Sequence, residues 1–371
     1  MRTSNRLSLA VLLCSVAANA SAQQVGDKIV VKTDEALLRS KEATTGKVPK
    51  GEILVVREAK GDRLWVTYSS GHGTASGWID RSAVIPFSQA PDFFDAELKR
   101  SPTARAYAIR GKLWTEKEEF DKALSDLNEA IRLDPKRAEF WVRRSSVWLA
   151  EKEYDKVLAD ANEALRLDPK NAWAYDNRGC AWCEKRELVK ASADFNEAIR
   201  IDPNDALTHS NRAAVWLYGK DFDAGISEVS EAIRLEPTNP RFYVNRGLLW
   251  RQKGEYGKAI ADCDEASRLD PKFAPAWNER AWLAVICGDP KYRDGKQAVR
   301  DATKACELTA WKNERCLVTL AAAYAETGDF PNAIKWQEKA LEIAPEKLKE
   351  RFRQLLERYK AEKPYSDKLT K

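Results

Sequence analysis

Few residues in this 371-residue sequence have the type and spacing that a catalytic, metal-binding or phosphate-binding site requires. Its two histidines are His72, in a glycine-flanked turn, and His209, and neither has the serine or cysteine partner of a nucleophilic site. Cys180 and Cys183 form a C-x-x-C pair, but zinc would need a second pair and a thioredoxin-like site a strand-to-helix context. No phosphate loop of the G-x-x-x-x-G-K-[ST] type occurs. The sequence therefore predicts a protein that is not an enzyme, with no cofactor and no metal site.

A row of arginines is the strongest candidate for anion binding. Six arginines recur along the chain at intervals of 34 residues. An acidic residue follows each arginine, 16 positions later in five cases and 21 positions later in the sixth. Leu320 and Trp336 replace both partners together in the last unit, which favours ion pairs inside the protein over a ligand site. The expected pairs are Arg110–Asp126, Arg144–Asp160, Arg178–Asp194, Arg212–Glu228, Arg246–Asp262 and Arg280–Asp301.

Prolines mark the same 34-residue period in the elements that position these side chains. Each follows an acidic residue at the end of an amphipathic segment, where proline ends a helix and removes its predecessor from the helical region. A helix is therefore predicted to stop at the same phase in every unit. The prolines are Pro135, Pro169, Pro203, Pro237 and Pro271.

With this proline counted as position 32, large rings fall at positions 4 and 11 and small residues at positions 8 and 27. The first unit, for example, has Tyr107, Gly111, Trp114 and Ala130 at these positions. The pattern resembles the tetratricopeptide repeat, a helix-turn-helix unit of 34 residues. The resemblance implies a mainly α protein, an α-solenoid of about seven repeats with an enlarged sixth. The repeats are 104–137, 138–171, 172–205, 206–239, 240–273, 274–313 and 314–347, within a region of 104–345.

The segments on either side of the repeats differ from them. Residues 23–87 contain short alternating apolar runs separated by turns, which predict a small all-β barrel. Residues 88–103 are interpreted as a linker and capping helix, and residues 346–371 as a C-terminal capping helix and tail. The barrel segment resembles the bacterial SH3-like domain of exported proteins through Leu38, Arg39, Gly46, Lys50, Gly51, Gly61, Trp65, Gly77, Trp78 and Val84.

The first 22 residues read as a signal peptide. Arg2 and Arg6 precede an apolar run over 7–18, which is too short to span a bilayer, and an A-x-A cleavage site ends at Ala22. An exported protein is expected, in the periplasm or cell envelope or secreted, with no transmembrane segment after cleavage. Six cysteines then remain in an oxidising compartment, which permits one disulfide among Cys287, Cys306 and Cys316.

The charges are too evenly balanced for nucleic-acid binding. The chain has 62 basic and 57 acidic residues, for a formal net charge of +5. Most Lys and Arg have an acidic residue close by, as on solvated helices, whereas a backbone-tracking binder clusters its cations on one face. No nucleic-acid partner is expected.

The repeat resemblance implies that the first helix of each repeat lines a groove that binds an extended or helical segment of a protein partner. Position 6 holds asparagine in three successive repeats, and an asparagine amide can hold an extended backbone. The alternative is that these amides only satisfy neighbouring carbonyls or water. The C-terminal carboxylate clamp of the family is not expected, because its Lys at position 5 and Asn at position 9 are missing. The candidate residues are Trp173, Asn177, Asn211, Leu217, Tyr218, Asn245, Leu248 and Trp282.

A second hypothesis is an adaptor attached to cell wall or glycan through residues 23–87. Trp65, Tyr68 and Trp78 motivate it, because aromatic faces suit sugars and peptides. The alternative is that both tryptophans belong to the barrel core, since tryptophan on a strand is usually buried on one side.

Overall fold

The computed structural model describes residues 27–40, 43–70 and 73–365. The predicted signal peptide and His72 lie outside these residues. The chain divides into two compact units, Met1–Asn211 and Arg212–Lys371.

Seven antiparallel strands open the described part of the first unit. Their order in the sheet is β3-β2-β6-β5-β4-β1-β7. Alternate side chains such as Leu38, Val66 and Ile79 are fully buried in one core. The all-β region is as predicted, while the SH3-like assignment remains a prediction. The strands are β1 Lys28–Val31, β2 Glu35–Ser40, β3 Ala43–Pro49, β4 Ile53–Lys60, β5 Arg63–Ser70, β6 Gly73–Asp80 and β7 Val84–Pro86.

Helix α1, Ala90–Arg100, joins the sheet to the repeats as a packed element. Phe94 of α1 is fully buried in an apolar cluster that also contains Val30 of β1 and Ile109 of the next helix. Lys50 Nζ in the sheet lies 2.8 Å from Glu97 Oε1 of α1. Residues 90–100 of the predicted linker segment therefore hold the sheet against the first repeat.

Paired helices form the rest of the first unit, and helix α8 crosses into the second. Each second helix ends one residue before an acidic residue that leaves the helical region next to proline, as Asp134 does with φ −143° and ψ 81°. The helices are α2 Ala104–Glu116, α3 Phe120–Leu133, α4 Ala138–Ala150, α5 Tyr154–Leu167, α6 Ala172–Glu184, α7 Leu188–Ile201 and α8 Ala206–Gly219.

The second unit continues the same alternation of helices. Its sixth repeat is lengthened by a 3-10 turn, Pro290–Tyr292, between two helices. The predicted fold class, helical repeats behind an all-β region, is confirmed. The helices are α9 Phe222–Leu235, α10 Pro240–Lys253, α11 Tyr256–Leu269, α12 Ala274–Ile286, α13 Gly295–Leu308, α14 Glu314–Glu326, α15 Phe330–Ile343 and α16 Glu346–Lys360.

Small residues at position 8 let the two helices of a repeat approach each other. A Cβ atom on Gly179 would lie 2.9 Å from the ring of Phe195 in the second helix of the same repeat. That separation is below van der Waals contact, so a larger residue at position 179 would push the two helices apart.

Cys287, Cys306 and Cys316 are buried free thiols, so no disulfide joins them. Burial, with a smaller contribution from Cys316, raises the pKa of Cys306 to about 12. Burial likewise raises the pKa of Cys316 to about 11. Both groups are therefore protonated and unreactive at neutral pH. Among the described residues, no helix is both long and apolar enough to cross a membrane.

Candidate functional site

Asn177, the first of the three candidate asparagines, lies in a contact between two helices. Its Nδ2 atom donates to the Oγ atoms of Ser145 and Ser146 on α4, at 2.8 Å in both cases. The same amide also donates to the Val142 carbonyl at 3.3 Å. The amide thus ties repeat three to repeat two.

Asn211 makes a similar contact with a carboxylate one repeat earlier. Its Nδ2 atom lies 3.0 and 3.2 Å from the two carboxylate oxygens of Asp176. Asn211 is 2% exposed, and Asn245 in the second unit is also buried. These positions agree with the alternative that the amides satisfy neighbouring groups, while peptide binding by the asparagines remains a prediction.

The apolar candidates differ sharply in exposure. Leu217, Tyr218 and Leu248 are buried. Trp282 is half-buried, and its ring packs edge-on against Tyr365 with centroids 4.9 Å apart. Trp173 is 57% exposed, so it alone of the eight candidates presents most of its side chain to solvent.

Leu207 is an exposed residue that the sequence analysis missed. It is 40% exposed and occupies position 2 of repeat four, the same phase that Trp173 occupies in repeat three. Both residues belong to the first unit. The shared phase was the signal that could have found it, since residues at one phase of successive repeats line the same face.

The buried carboxylate of Asp176 has an unusual titration. Burial chiefly, together with the nearby charge of Asp205, raises its pKa from 3.8 to about 7, against the lowering effect of hydrogen bonds from Asn211 and Thr208. The folded protein therefore holds this proton between about pH 4 and pH 7, where the unfolded chain has released it. Folding stability from this group is lost as the pH rises through that interval.

We expect Asp176→Asn to raise the free energy of unfolding by about 2–4 kcal/mol at pH 8 and by little at pH 4, because an amide carries no buried charge. The carbonyl oxygen of the new side chain can still accept the hydrogen bond from Asn211. Chemical denaturation of both proteins at pH 4, 6 and 8 measures the difference. An equal difference at all three pH values would contradict the role of the buried charge.

The six arginines of the row each lie beside their expected acidic partner. In five pairs the guanidinium is bidentate, as in Arg144, whose Nε and Nη2 donate to Asp160 at 2.8 and 2.7 Å. Arg212 Nη2 donates to Glu228 Oε1 at 2.6 Å. The other bidentate pairs are Arg110–Asp126, Arg178–Asp194, Arg246–Asp262 and Arg280–Asp301.

A third contact of five of these guanidinium groups escaped the sequence analysis. Arg144 Nη1 donates to Asn128 Oδ1 at 2.7 Å, in the second helix of the preceding repeat. The same guanidinium lies 4.9 Å from the ring centroid of Trp141, three residues earlier. Corresponding Nη1 contacts are Arg178–Asn162, Arg246–Ser230 and Arg280–Asp264, and α1 supplies Asp95 to Arg110.

These contacts leave the row with little capacity for an external anion. Each pair neutralises itself, and the Asp160 side chain is only 5% exposed. The row therefore connects the two helices within each of the first six repeats, and five of the arginines also contact the preceding element.

In the β region, Trp65 and Trp78 lie outside the core. Leu64 and Val66 are buried in the core, and Trp65 between them is half-buried on the other face of β5. Its cross-strand partner is Trp78, and the rings meet edge-on with centroids 5.4 Å apart. Tyr68 packs against the core instead. The alternative that both tryptophans belong to the core therefore does not hold.

Paired antiparallel helices at a 34-residue period define an α-helical repeat protein. Tetratricopeptide repeat family models match residues 116–172, 217–272 and 314–347. These matched segments are tetratricopeptide repeats. A search of curated protein sequences found no match.

Solved structures with this fold are similar over most of the chain. The crystal structure of the yeast protein Tom70 has a TM-score of 0.57 at 20% identity, covering 74% of this chain and 59% of that one. A tetratricopeptide repeat protein from Parabacteroides merdae ATCC 43184 has a TM-score of 0.53 at 16% identity, covering 69% and 98%.

The APC/C hetero-tetramer Cut9-Hcn1 has a TM-score of 0.59 at 16% identity, covering 74% and 52%. The chain thus spans little more than half the length of Tom70 and of the matched Cut9-Hcn1 chain. At such identities the similarity establishes the fold alone.

Proposed function

We propose that this protein is an exported, non-enzymatic scaffold that binds a segment of a partner protein on the first helices of its repeats. Proteins of this repeat fold serve as protein-protein interaction scaffolds. The observation that supports a binding face in this chain is the exposed pair Trp173 and Leu207 at position 2 of adjacent repeats. Large apolar side chains exposed at a repeating phase commonly mark an interaction site, and tryptophan is a frequent energetic anchor.

Export is the second component of this proposal and is supported by the sequence alone. The charged start, the short apolar run and the A-x-A motif within residues 1–22 fit a signal peptide. The partner would then be a protein of the cell envelope or of the exterior. N-terminal sequencing of the chain purified from the envelope fraction tests export, and a chain that retains residues 1–22 in the cytoplasm would contradict it.

We expect Trp173→Ala with Leu207→Ala to weaken partner binding at least about 30-fold, since the loss of a tryptophan anchor typically costs about 2 kcal/mol or more. The partner is first identified by crosslinking in the native envelope and then purified for affinity measurement. Val189→Ala is the matched control, because Val189 is exposed and apolar but lies at the start of a second helix. Unchanged affinity in the double variant would exclude this face.

A second candidate function, attachment to cell wall or glycan through residues 23–87, is favoured by one observation. The Trp65–Trp78 pair stands outside the core on the surface of β5 and β6. Aromatic faces of this kind can stack on sugar rings. We expect the full chain to co-sediment with purified cell wall and Trp65→Ala with Trp78→Ala to abolish this. Absence of the wild-type protein from the pellet would rule out wall attachment.

A further inference from the structure

A cavity of about 320 Å³ lies within the first unit, between the β region and the first two repeats. The turn between β3 and β4 forms one wall, and helices α2 and α4 form the other. Its floor is apolar, with Ala108, Ile109 and Phe140 all buried. Gly51 lets the turn approach α2 closely, since a Cβ atom there would lie 2.6 Å from Ile109 Cγ2.

The polar lining of this cavity has an excess of positive charge. Two acidic residues face five basic ones, and each acid is already engaged within the protein. Glu52 accepts from Lys112 Nζ at 2.8 Å, and Glu139 accepts from Arg143 Nη2 at 2.7 Å. The lining cations are Lys50, Arg105, Lys112, Arg137 and Arg143.

Arg105 and Arg137 are the cations available to a ligand. Arg105 is exposed and has no hydrogen bond or ion pair with any described residue. Arg137 is exposed too, and its Nε atom is 3.8 Å from Glu139 Oε2, beyond hydrogen-bonding distance. Both guanidinium groups therefore retain donors for an incoming anion.

The pKa values of the lining groups reflect the same excess of positive charge. Burial first, and then the charge of Arg143, lowers the pKa of Lys112 in spite of its contact with Glu52. Burial would raise the pKa of Glu139, but Arg143, Arg137 and Lys112 together lower it. The cations that stabilise the Glu139 carboxylate would also stabilise an anionic ligand in the cavity.

We propose that this cavity binds a small organic polyanion, a molecule with two or three negative charges on carboxylate or phosphate groups and a short carbon body. The exposed Arg105 and Arg137, together with the paired Lys112 and Arg143, match two or three oxyanion charges, and the apolar floor matches a short carbon body. The cavity volume is at the lower end of the range for small-molecule sites. This site is separate from the Trp173 face, and the inference does not depend on the proposed scaffold function.

Citrate and glycerol 3-phosphate are the probes, titrated calorimetrically into the full chain at constant ionic strength with acetate as the monoanion reference. We expect at least one probe to bind with a Kd of about 1 mM or tighter and acetate to bind at least 10-fold more weakly. Binding of citrate alone or of glycerol 3-phosphate alone supports the proposal and identifies the anion. Binding of neither, or equal binding of acetate, overturns it.

Arg105→Ala with Arg137→Ala should weaken binding of the active probe at least 10-fold. Lys136→Ala with Lys170→Ala is the matched control, since it removes the same charge from exposed sites outside the cavity lining. Circular dichroism checks that both variants fold. Equal affinity of the arginine variant and the control would overturn the assignment, as would an acidic hexapeptide that binds when both small probes fail.

Discussion

Asp160→Ala is expected to lower the free energy of unfolding by about 3–5 kcal/mol, because it leaves a partly buried guanidinium without its carboxylate. Arg144 would lose both bidentate bonds and keep only the hydrogen bond to Asn128 and the contact with the Trp141 ring. Urea denaturation followed by circular dichroism measures the change. Glu163→Ala is the control, since Glu163 forms an ion pair with Arg166 on the surface of the same helix as Asp160 and its loss should have little effect.

The seventh repeat supplies a second control for the same pair. Leu320 and Trp336 occupy the arginine and acid positions there, and Leu320 is almost fully buried. Apolar residues are therefore accepted at this site when both partners change. We expect Arg144→Leu with Asp160→Leu to cost less than half as much as Asp160→Ala. A cost for the double variant equal to the sum of its single changes would show that the two side chains do not interact.

The second large effect is expected at Gly51, where the β region meets the first repeat. Gly51 has φ +85°, and an added Cβ would meet three atoms of Ile109 within 2.9 Å. Gly51→Ala combines left-handed strain of about 1 kcal/mol with an overlap of about 2 kcal/mol. The expected loss in the free energy of unfolding is therefore about 3 kcal/mol, with earlier proteolytic cleavage between residues 87 and 104.

Gly61→Ala separates the two contributions. Gly61 has φ +56° in the same β region, but nothing lies within 4 Å of its added Cβ. We expect only the strain of about 1 kcal/mol at this position. Adding Ile109→Ala to Gly51→Ala should restore the contact between the sheet and α2, as seen by renewed resistance to protease. Equal costs at Gly51 and Gly61 would mean that the turn does not press on Ile109.

Periodicity was sufficient to predict the helical repeats, because proline, small residues and rings recur at fixed phases and each phase has one structural reason. The enlarged sixth repeat followed from the same count. The turns between the paired helices were less apparent. Glu118, Lys152, Arg186 and Lys220 adopt left-handed conformations at position 15, where all three later repeats have glycine. Charged residue types give no sign of such a conformation in a sequence.

The candidate partner-binding residues were harder to infer, because position within a helix does not specify which side chains the neighbouring helix contributes. Asn177 and Asn211 occupy a phase that the repeat resemblance predicted to face a ligand, but serines and Asp176 one repeat earlier engage their amides. Trp65 and Trp78 differ from these asparagines, because strand tryptophans are usually buried and yet both lie outside the core. A sequence gives the spacing along one element, whereas exposure depends on contacts between elements.

The three-way contacts of the arginine row have a consequence for how the repeats lose structure. Since each Nη1 contact reaches the preceding element, melting one repeat removes a ligand from the guanidinium of the next. Neighbouring repeats in each unit should therefore melt together over several repeats rather than fray singly. The seventh repeat stands outside this coupling and depends on the last helix, where Gln337 Nε2 donates to the Phe352 carbonyl at 3.0 Å. Hydrogen exchange should thus be fastest at this end of the second unit whenever that helix is released.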